Sequence, residues 1–181
     1  IIAMFLIIMF HIVGQTEVLD NANNINKAVL TILGSGGRIA VNIFLMIGTW
    51  FMVDSEYKSS RVLKLYGQVA LYSIPITLLM IIFNHNITPR MIIIGLFPFF
   101  GRPMWFATAY IMLILLSPFL KKIIQWDIKD LKRLVILLFI GISLISTVSG
   151  NQNGYVVDSC WFVFVYLFIG YIKRININIS I

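Results

Sequence analysis

Apolar stretches separated by short polar segments run along the whole chain, and this alternation predicts membrane-spanning helices. A spanning helix needs about 20 apolar residues, or fewer when flanking side chains snorkel to the interface. Six stretches reach or approach that length, and they are residues 1–13, 39–53, 65–83, 104–120, 134–149 and 159–172. The pattern therefore predicts an all-α polytopic membrane protein with about six transmembrane helices.

The first apolar stretch begins at Ile1, already inside a hydrophobic run. It lacks the basic flank and small-residue cleavage site of a signal peptide, so we interpret it as the remainder of a first spanning helix. We expect residues 1–181 to form a single transmembrane helical domain that is a fragment of a longer protein.

The basic residues fall mainly on one side of the predicted membrane. If the first helix runs from inside to outside and each later helix crosses once, ten of the 14 Lys and Arg residues lie inside. The four outside are Lys27, Arg38, Arg90 and Arg102. This positive-inside bias supports the helix count and the orientation. A crossing at the apolar residues 91–100 would reverse every later loop, so we expect that segment to be re-entrant or interfacial.

Composition agrees with a membrane protein and narrows the possible partners. The chain is 60% hydrophobic and 12% charged, far from the composition of a soluble domain. Orientation explains the net charge of +7 better than nucleic-acid binding does, so no nucleic-acid partner is expected. Cys160 is the only cysteine, and no Cys/His spacing matches a metal site. Serine hydrolase, zinc protease and ATPase motifs are also absent from the sequence.

His11 is the first candidate for chemistry because it lies within the first apolar stretch. An ionisable group in hydrocarbon is costly unless it faces a cavity or a partner. A neutral imidazole there can act as a general base or accept an acyl group. The alternative is a histidine that snorkels to the outer interface.

Arg38 and Asn42 lie one helical turn apart at the start of the second stretch, so both can face the same cavity. The alternative is an interfacial arginine followed by an amide bonded between helices. The preceding Gly34, Ser35, Gly36 and Gly37 lack the phosphate-loop pattern and are interpreted as a flexible turn.

Two further groups of residues are candidates for substrate binding. Lys58, Arg61 and Lys64 place three cations at the inner face, where a phosphorylated donor can dock, although orientation alone also explains them. Arg102, Trp105 and Tyr110 open the fourth helix at its outer edge. They form either a platform for an acceptor sugar or an ordinary aromatic belt with an interfacial arginine.

Taken in order, these residues resemble one known family, the acyltransferase 3 family of integral-membrane O-acyltransferases. The likeness rests on His11, on Gly37, Arg38, Asn42, Phe44 and Gly48, and on Trp105, Phe106, Tyr110 and Ser117, Pro118, Phe119 and Leu120. Arg61, Lys64, Tyr66 and Pro75 are also similar to the family's basic entry to its third helix. The resemblance runs from Ile1 to about Leu120, and Gly48, Thr49, Trp50 and Phe51 depart from the usual glycine–aromatic pairing.

The resemblance implies transfer of an acyl group, commonly acetyl from acetyl-CoA, to a hydroxyl of a cell-surface polysaccharide. His11 then matches the family's key histidine, with Arg38 and Asn42 stabilising oxyanion charge and Lys58, Arg61 and Lys64 binding the donor's phosphates. Acetyl-CoA is a donor substrate in this scheme, and no tightly bound cofactor or metal is expected. Relatives have more than six helices, which implies that this chain is the N-terminal part of one.

Two other functions remain open on the sequence alone. A transporter of a small solute or lipid-linked sugar also has sparse intramembrane polar groups, but its usual internal repeat is not visible. A glycan polymerase would have large outer loops rich in arginine, but Lys27 is the only basic residue of the predicted outer loop at residues 15–37.

The expected partners are the lipid bilayer, acyl-CoA and a surface glycan, and the expected location is a bacterial cytoplasmic membrane.

Overall fold

The computed structural model describes residues 2–15, 18–83, 88–100, 104–148 and 155–175, and every element within these ranges is helical. In chain order the α-helices are α1 (Ile2–Gln15), α2 (Val18–Asn21), α3 (Asn24–Ser35), α4 (Gly37–Asp54), α5 (Ser59–Phe83), α6 (Pro89–Leu96), α7 (Trp105–Ile124), α8 (Ile128–Val148) and α9 (Tyr155–Arg174). A 3₁₀ helix, Pro98–Phe100, follows α6. The predicted all-α class is therefore confirmed for the described residues.

Three helical stretches in the described ranges are long and apolar enough to cross a membrane. They are Asn24–Asp54, Ser59–Phe83 and Trp105–Ile124. Helix α1 is apolar but shorter. The residue ranges of α8 and α9 cover nearly all of the predicted stretches at 134–149 and 159–172. The total of six crossings stays a prediction.

Residues 15–37, predicted to be an outer loop, contain helix α3, and the expected flexible turn at residues 34–37 was wrong. The Asn23 side chain accepts a hydrogen bond from the Asn26 N–H at 3.0 Å and caps α3. Gly36 keeps a helical backbone and accepts from the Ala40 N–H at 2.9 Å, which joins α3 to α4 with little interruption. Asparagine and glycine usually indicate turns, but here they serve as a helix cap and a helix joint.

The chain divides into two compact units, Ile1–Met52 and Val53–Ile181. In the first unit, one face of α1 packs on α3 and on the joint between α3 and α4. The contacts pair Val13 with Gly34, Leu6 with Gly36 and Phe10 with Gly37. Because glycine lets two helix backbones approach closely, the glycine-rich segment is a packing surface rather than a flexible turn.

The core of the second unit is helix α9, which packs against both α7 and α8. Its most deeply buried side chains are Phe162, Val165, Tyr166 and Leu167. Gly170 lies against Ile124 so closely that an added Cβ would lie 2.3 Å from the Ile124 Cδ1. Arg174 donates to the Ile124 carbonyl at 2.6 Å and to the Trp126 carbonyl. The guanidinium thereby caps the C-terminus of α7 and ties it to α9.

Residues 88–100 fold back along α5. The Ser73 hydroxyl donates to the Gly95 carbonyl at 2.7 Å, and farther on Phe99 stacks on Tyr66 with ring centroids 5.2 Å apart. The segment therefore runs from the C-terminal end of α5 to beyond its midpoint. Helix α6 has eight residues and is about 12 Å long, far short of the roughly 30 Å of a bilayer core. This path favours the re-entrant alternative over the interfacial one.

Candidate active site

His11 lies on an exposed part of α1, next to the face that packs on the glycine joint. The Phe10 ring meets the imidazole edge-on with centroids 5.6 Å apart. Phe10 in turn contacts Gly37, the residue before Arg38. His11 and the first turn of α4 therefore both lie next to the contact between Phe10 and Gly37.

Arg38 and Asn42 both belong to the first two turns of α4, at positions i and i+4. Side chains at this spacing share one face of a helix. Asn42 is half-buried, while the Arg38 side chain lies outside the described atoms. In the first unit, the backbone thus carries His11, Arg38 and Asn42 on two helices that meet at Gly37.

A group of charged side chains, termed here the basic cluster, gathers in the second unit at the turn between α4 and α5. It consists of Asp54, Ser55, Arg61, Lys121 and Lys173. The Arg61 guanidinium donates to the Ser55 hydroxyl at 2.7 Å, and the Lys121 ammonium donates to the Ser55 carbonyl at 2.6 Å. Lys173 forms an ion pair with Asp54. Ends of four helices, α4, α5, α7 and α9, therefore meet on one turn.

The other two predicted donor-binding cations flank this cluster. Lys58 immediately precedes α5 and Lys64 follows Arg61 by one turn, and both side chains are exposed. Of the three cations predicted from sequence, Arg61 is the half-buried one and is held by a specific hydrogen bond. Long, exposed lysines beside a fixed guanidinium suit a polyanionic ligand better than a single small ion.

The predicted acceptor residues lie on α7, except Arg102, which is outside the described residues. Trp105 packs against Phe162 of α9 with ring centroids 6.4 Å apart, and Tyr110 stacks on Phe106 at 6.0 Å. Trp105 therefore helps to join α7 to α9, whereas the Tyr110 ring stacks within α7.

Sequence reasoning missed the participation of Asp54, Ser55, Lys121 and Lys173 in this site. Lys121 and Lys173 were counted only as orientation signals, because nothing in their local sequence distinguishes them from Lys122 or Arg174. The available signal was the predicted topology, which places the C-terminal ends of α7 and α9 on the same side of the membrane as the α4–α5 turn.

Tyr166 carries a buried polar group that the sequence did not single out. The residue is fully buried, and its hydroxyl has no hydrogen-bond partner within the described residues. A desolvated hydroxyl without a partner costs about 1–3 kcal/mol. Substituting Tyr166→Phe is therefore expected to raise the free energy of unfolding by about 1 kcal/mol.

Thermal unfolding of the purified protein in detergent measures this effect. Tyr171→Phe, on the same helix but half-exposed, is the matched control and should leave the Tm unchanged. A clear fall in Tm for Tyr166→Phe would show that the hydroxyl is bonded and stabilising.

A family model described as an acyltransferase domain matches residues 1–179. The chain belongs to this acyltransferase family. No curated protein and no solved structure matches the chain. With its long apolar helices, membership of the acyltransferase family makes the protein a membrane acyltransferase. The resemblance seen on the first 120 residues extends through α8 and α9 to nearly the last residue.

Proposed function

We propose that the protein transfers an acyl group, most simply acetyl, from acyl-CoA to a hydroxyl of a cell-surface polysaccharide. The observation that carries the donor assignment is the half-buried Arg61, bonded to Ser55 and flanked by the exposed Lys58 and Lys64. Acyl-CoA bears a diphosphate and a ribose phosphate, and several cations around one fixed guanidinium match such a polyanion. Family membership supports acyl transfer as the reaction.

His11 is the proposed catalytic residue. In one route its imidazole removes the proton of the acceptor hydroxyl while the oxygen attacks the thioester carbon, and CoA leaves as the thiolate that then takes up a proton. In the other route the imidazole attacks first and forms an acyl-imidazole, which the sugar oxygen then cleaves. Both routes form the same ester and release the same thiol.

Arg38 and Asn42 are the proposed electrostatic partners of His11. Both routes pass through a tetrahedral species with negative charge on the former carbonyl oxygen. A guanidinium and an amide one turn apart can donate to that oxygen, and such donors stabilise the transition state more than the ground state. Their position beside the contact between α1 and α4 supports this role.

The acceptor sugar is proposed to approach from the outer side, along α7. Trp105 and Tyr110 offer aromatic faces against which sugar rings can pack, and Arg102 belongs to the same proposed acceptor site. The positive-inside bias supports six crossings with the donor site facing the cytoplasm of a bacterium. Acetyl groups would then pass from a cytoplasmic donor to an extracellular glycan across the plasma membrane.

The donor assignment is tested with labelled acetyl-CoA and the full-length protein in membranes or detergent. Replacing Arg61 with glutamine should raise the KM for acetyl-CoA about tenfold, because a hydrogen bond between charged groups is worth roughly 1.5 kcal/mol or more. Arg90→Gln, which removes an exposed cation from α6, is the matched control and should leave this KM unchanged.

Three outcomes would count against the proposal. If the wild-type protein transfers no label from acetyl-CoA, the donor assignment fails. If Arg61→Gln and Arg90→Gln behave alike, the docking site lies elsewhere. Accumulation of a solute without any ester formation would instead support transport.

A further inference from the structure

We propose that Lys121 of α7 completes the phosphate-binding site for the donor, assisted by Lys173 of α9. This inference rests on the proposed function, because it assigns further residues to the same donor site. It extends that site from the α4–α5 turn, where sequence motifs placed it, to the ends of two later helices.

The first argument is convergence on one turn. Lys121 lies 66 positions from Ser55 in sequence, yet its ammonium donates to the Ser55 carbonyl at 2.6 Å. The hydroxyl of the same serine accepts from Arg61 at 2.7 Å. The two cations are therefore bonded to two different polar groups of one residue, close enough for one phosphate-bearing ligand to contact both.

The second argument is the charge balance of the basic cluster. Arg61, Lys121 and Lys173 bring three positive charges to this turn, which also carries two acidic residues, Asp54 and the exposed Glu56. The Lys173 side chain is only 17% exposed, whereas the Asp54 side chain is 73% exposed. Drawing cations out of water is costly unless opposite charge compensates them. Arg61 and Lys121 bond to neutral groups of Ser55, and a polyanionic ligand would supply the opposite charge that these groups lack.

The third argument is donor capacity. A lysine ammonium has three N–H donors, and the Ser55 carbonyl accepts one of those on Lys121. The remaining donors can bind phosphate oxygens without breaking the contact that positions the side chain. Lys122, the next residue on α7, is exposed and provides an internal comparison.

A purely structural role for Lys121 has a different signature. A cation at the C-terminal end of α4 also interacts favourably with the helix dipole. Loss of that interaction would lower stability and weaken binding of every donor alike. Loss of a phosphate ligand would weaken only the donors that carry phosphates.

The experiment compares two thioester donors on the full-length protein, acetyl-CoA and the phosphate-free S-acetylpantetheine. For Lys121→Gln we expect the KM for acetyl-CoA to rise about tenfold, while the KM for S-acetylpantetheine stays within about twofold of wild type. Lys122→Gln should change neither value. Lys121→Arg, which keeps the charge, should restore most of the preference for acetyl-CoA.

A second measurement needs no variant and covers the case in which Lys121→Gln does not fold. Wild-type protein is treated with an amine-acetylating reagent in the presence or absence of CoA, and the modified lysines are quantified by mass spectrometry. CoA should slow modification of Lys121 and Lys173 severalfold and leave Lys122 unaffected.

The outcomes separate this inference from the proposed function. Wild-type protein that uses acetyl-CoA, with Lys121 neither protected by CoA nor needed for the preference over S-acetylpantetheine, overturns the role of Lys121 alone. Equal weakening of both donors in Lys121→Gln also overturns it, in favour of helix capping. Wild-type protein that uses neither donor overturns the proposed function and this inference together.

Discussion

Substituting His11→Ala in the full-length protein is expected to lower acyl transfer by about 10²- to 10⁴-fold, because a positioned acid–base group contributes an effect of that size. The imidazole is exposed on α1, so its removal leaves no cavity in the packed face formed by Leu6, Phe10 and Val13. The Tm should therefore stay near that of wild type while the rate falls. Ester formation on the surface glycan, in cells that lack the native gene, measures the loss.

The matched control for His11→Ala is Ile8→Ala, which shortens another exposed side chain on the same helix. It should retain most of the activity. Mass spectrometry of a quenched reaction can also look for an acyl adduct on His11, which would separate the covalent route from the general-base route. Full activity in His11→Ala would remove the proposed mechanism.

Substituting Gly37→Ala is expected to lower the free energy of unfolding by about 1–3 kcal/mol, as overpacking commonly does. An alanine Cβ there would lie 2.3 Å from the Phe10 Cβ, an atom that no rotamer change can move. The backbone of α1 must therefore shift. Because His11 follows Phe10 directly, acyl transfer should fall together with the Tm.

Two other glycines of the first unit provide a graded comparison with Gly37. At Gly36 the nearest atom to an added Cβ is the Leu6 Cδ2 at 3.0 Å, the end of a flexible side chain, so Gly36→Ala should be milder. At Gly14 nothing lies within 4 Å, and alanine there should be neutral or stabilising by up to about 1 kcal/mol. Equal Tm values for all three variants would contradict the packing of α1 on this joint.

The basic cluster depends on helices from both the early and the late parts of the chain. The residues that resemble the family's motifs occur mainly early in the chain, but Lys121 of α7 bonds to Ser55 and Lys173 of α9 pairs with Asp54. Helices α7 and α9 are joined by the Trp105 and Phe162 rings and by the Arg174 cap. Donor binding and the packing of these helices are therefore expected to depend on each other.

The sequence by itself determined the helical class, the side of the membrane on which each basic residue is expected and the acyltransferase resemblance. Apolar periodicity and length dictate helices in a bilayer because every backbone polar group must be bonded within the helix. His11 and Arg38 could be singled out because each is a polar residue within or next to an apolar run, where its cost requires an explanation. Arg61 could be singled out because it is one of three cations close together at the predicted inner face.

Only the tertiary structure decided how the glycines are used and which lysines matter. From the sequence, Gly34 and Gly37 are interpreted as turn residues, because a local pattern contains no information about helix α1, which packs on them. Lys121 and Lys122 have nearly the same local sequence, but Lys121 is distinguished by its hydrogen bond to the Ser55 carbonyl. Contacts between residues far apart in the chain come from packing, which hydropathy and motif spacing do not specify.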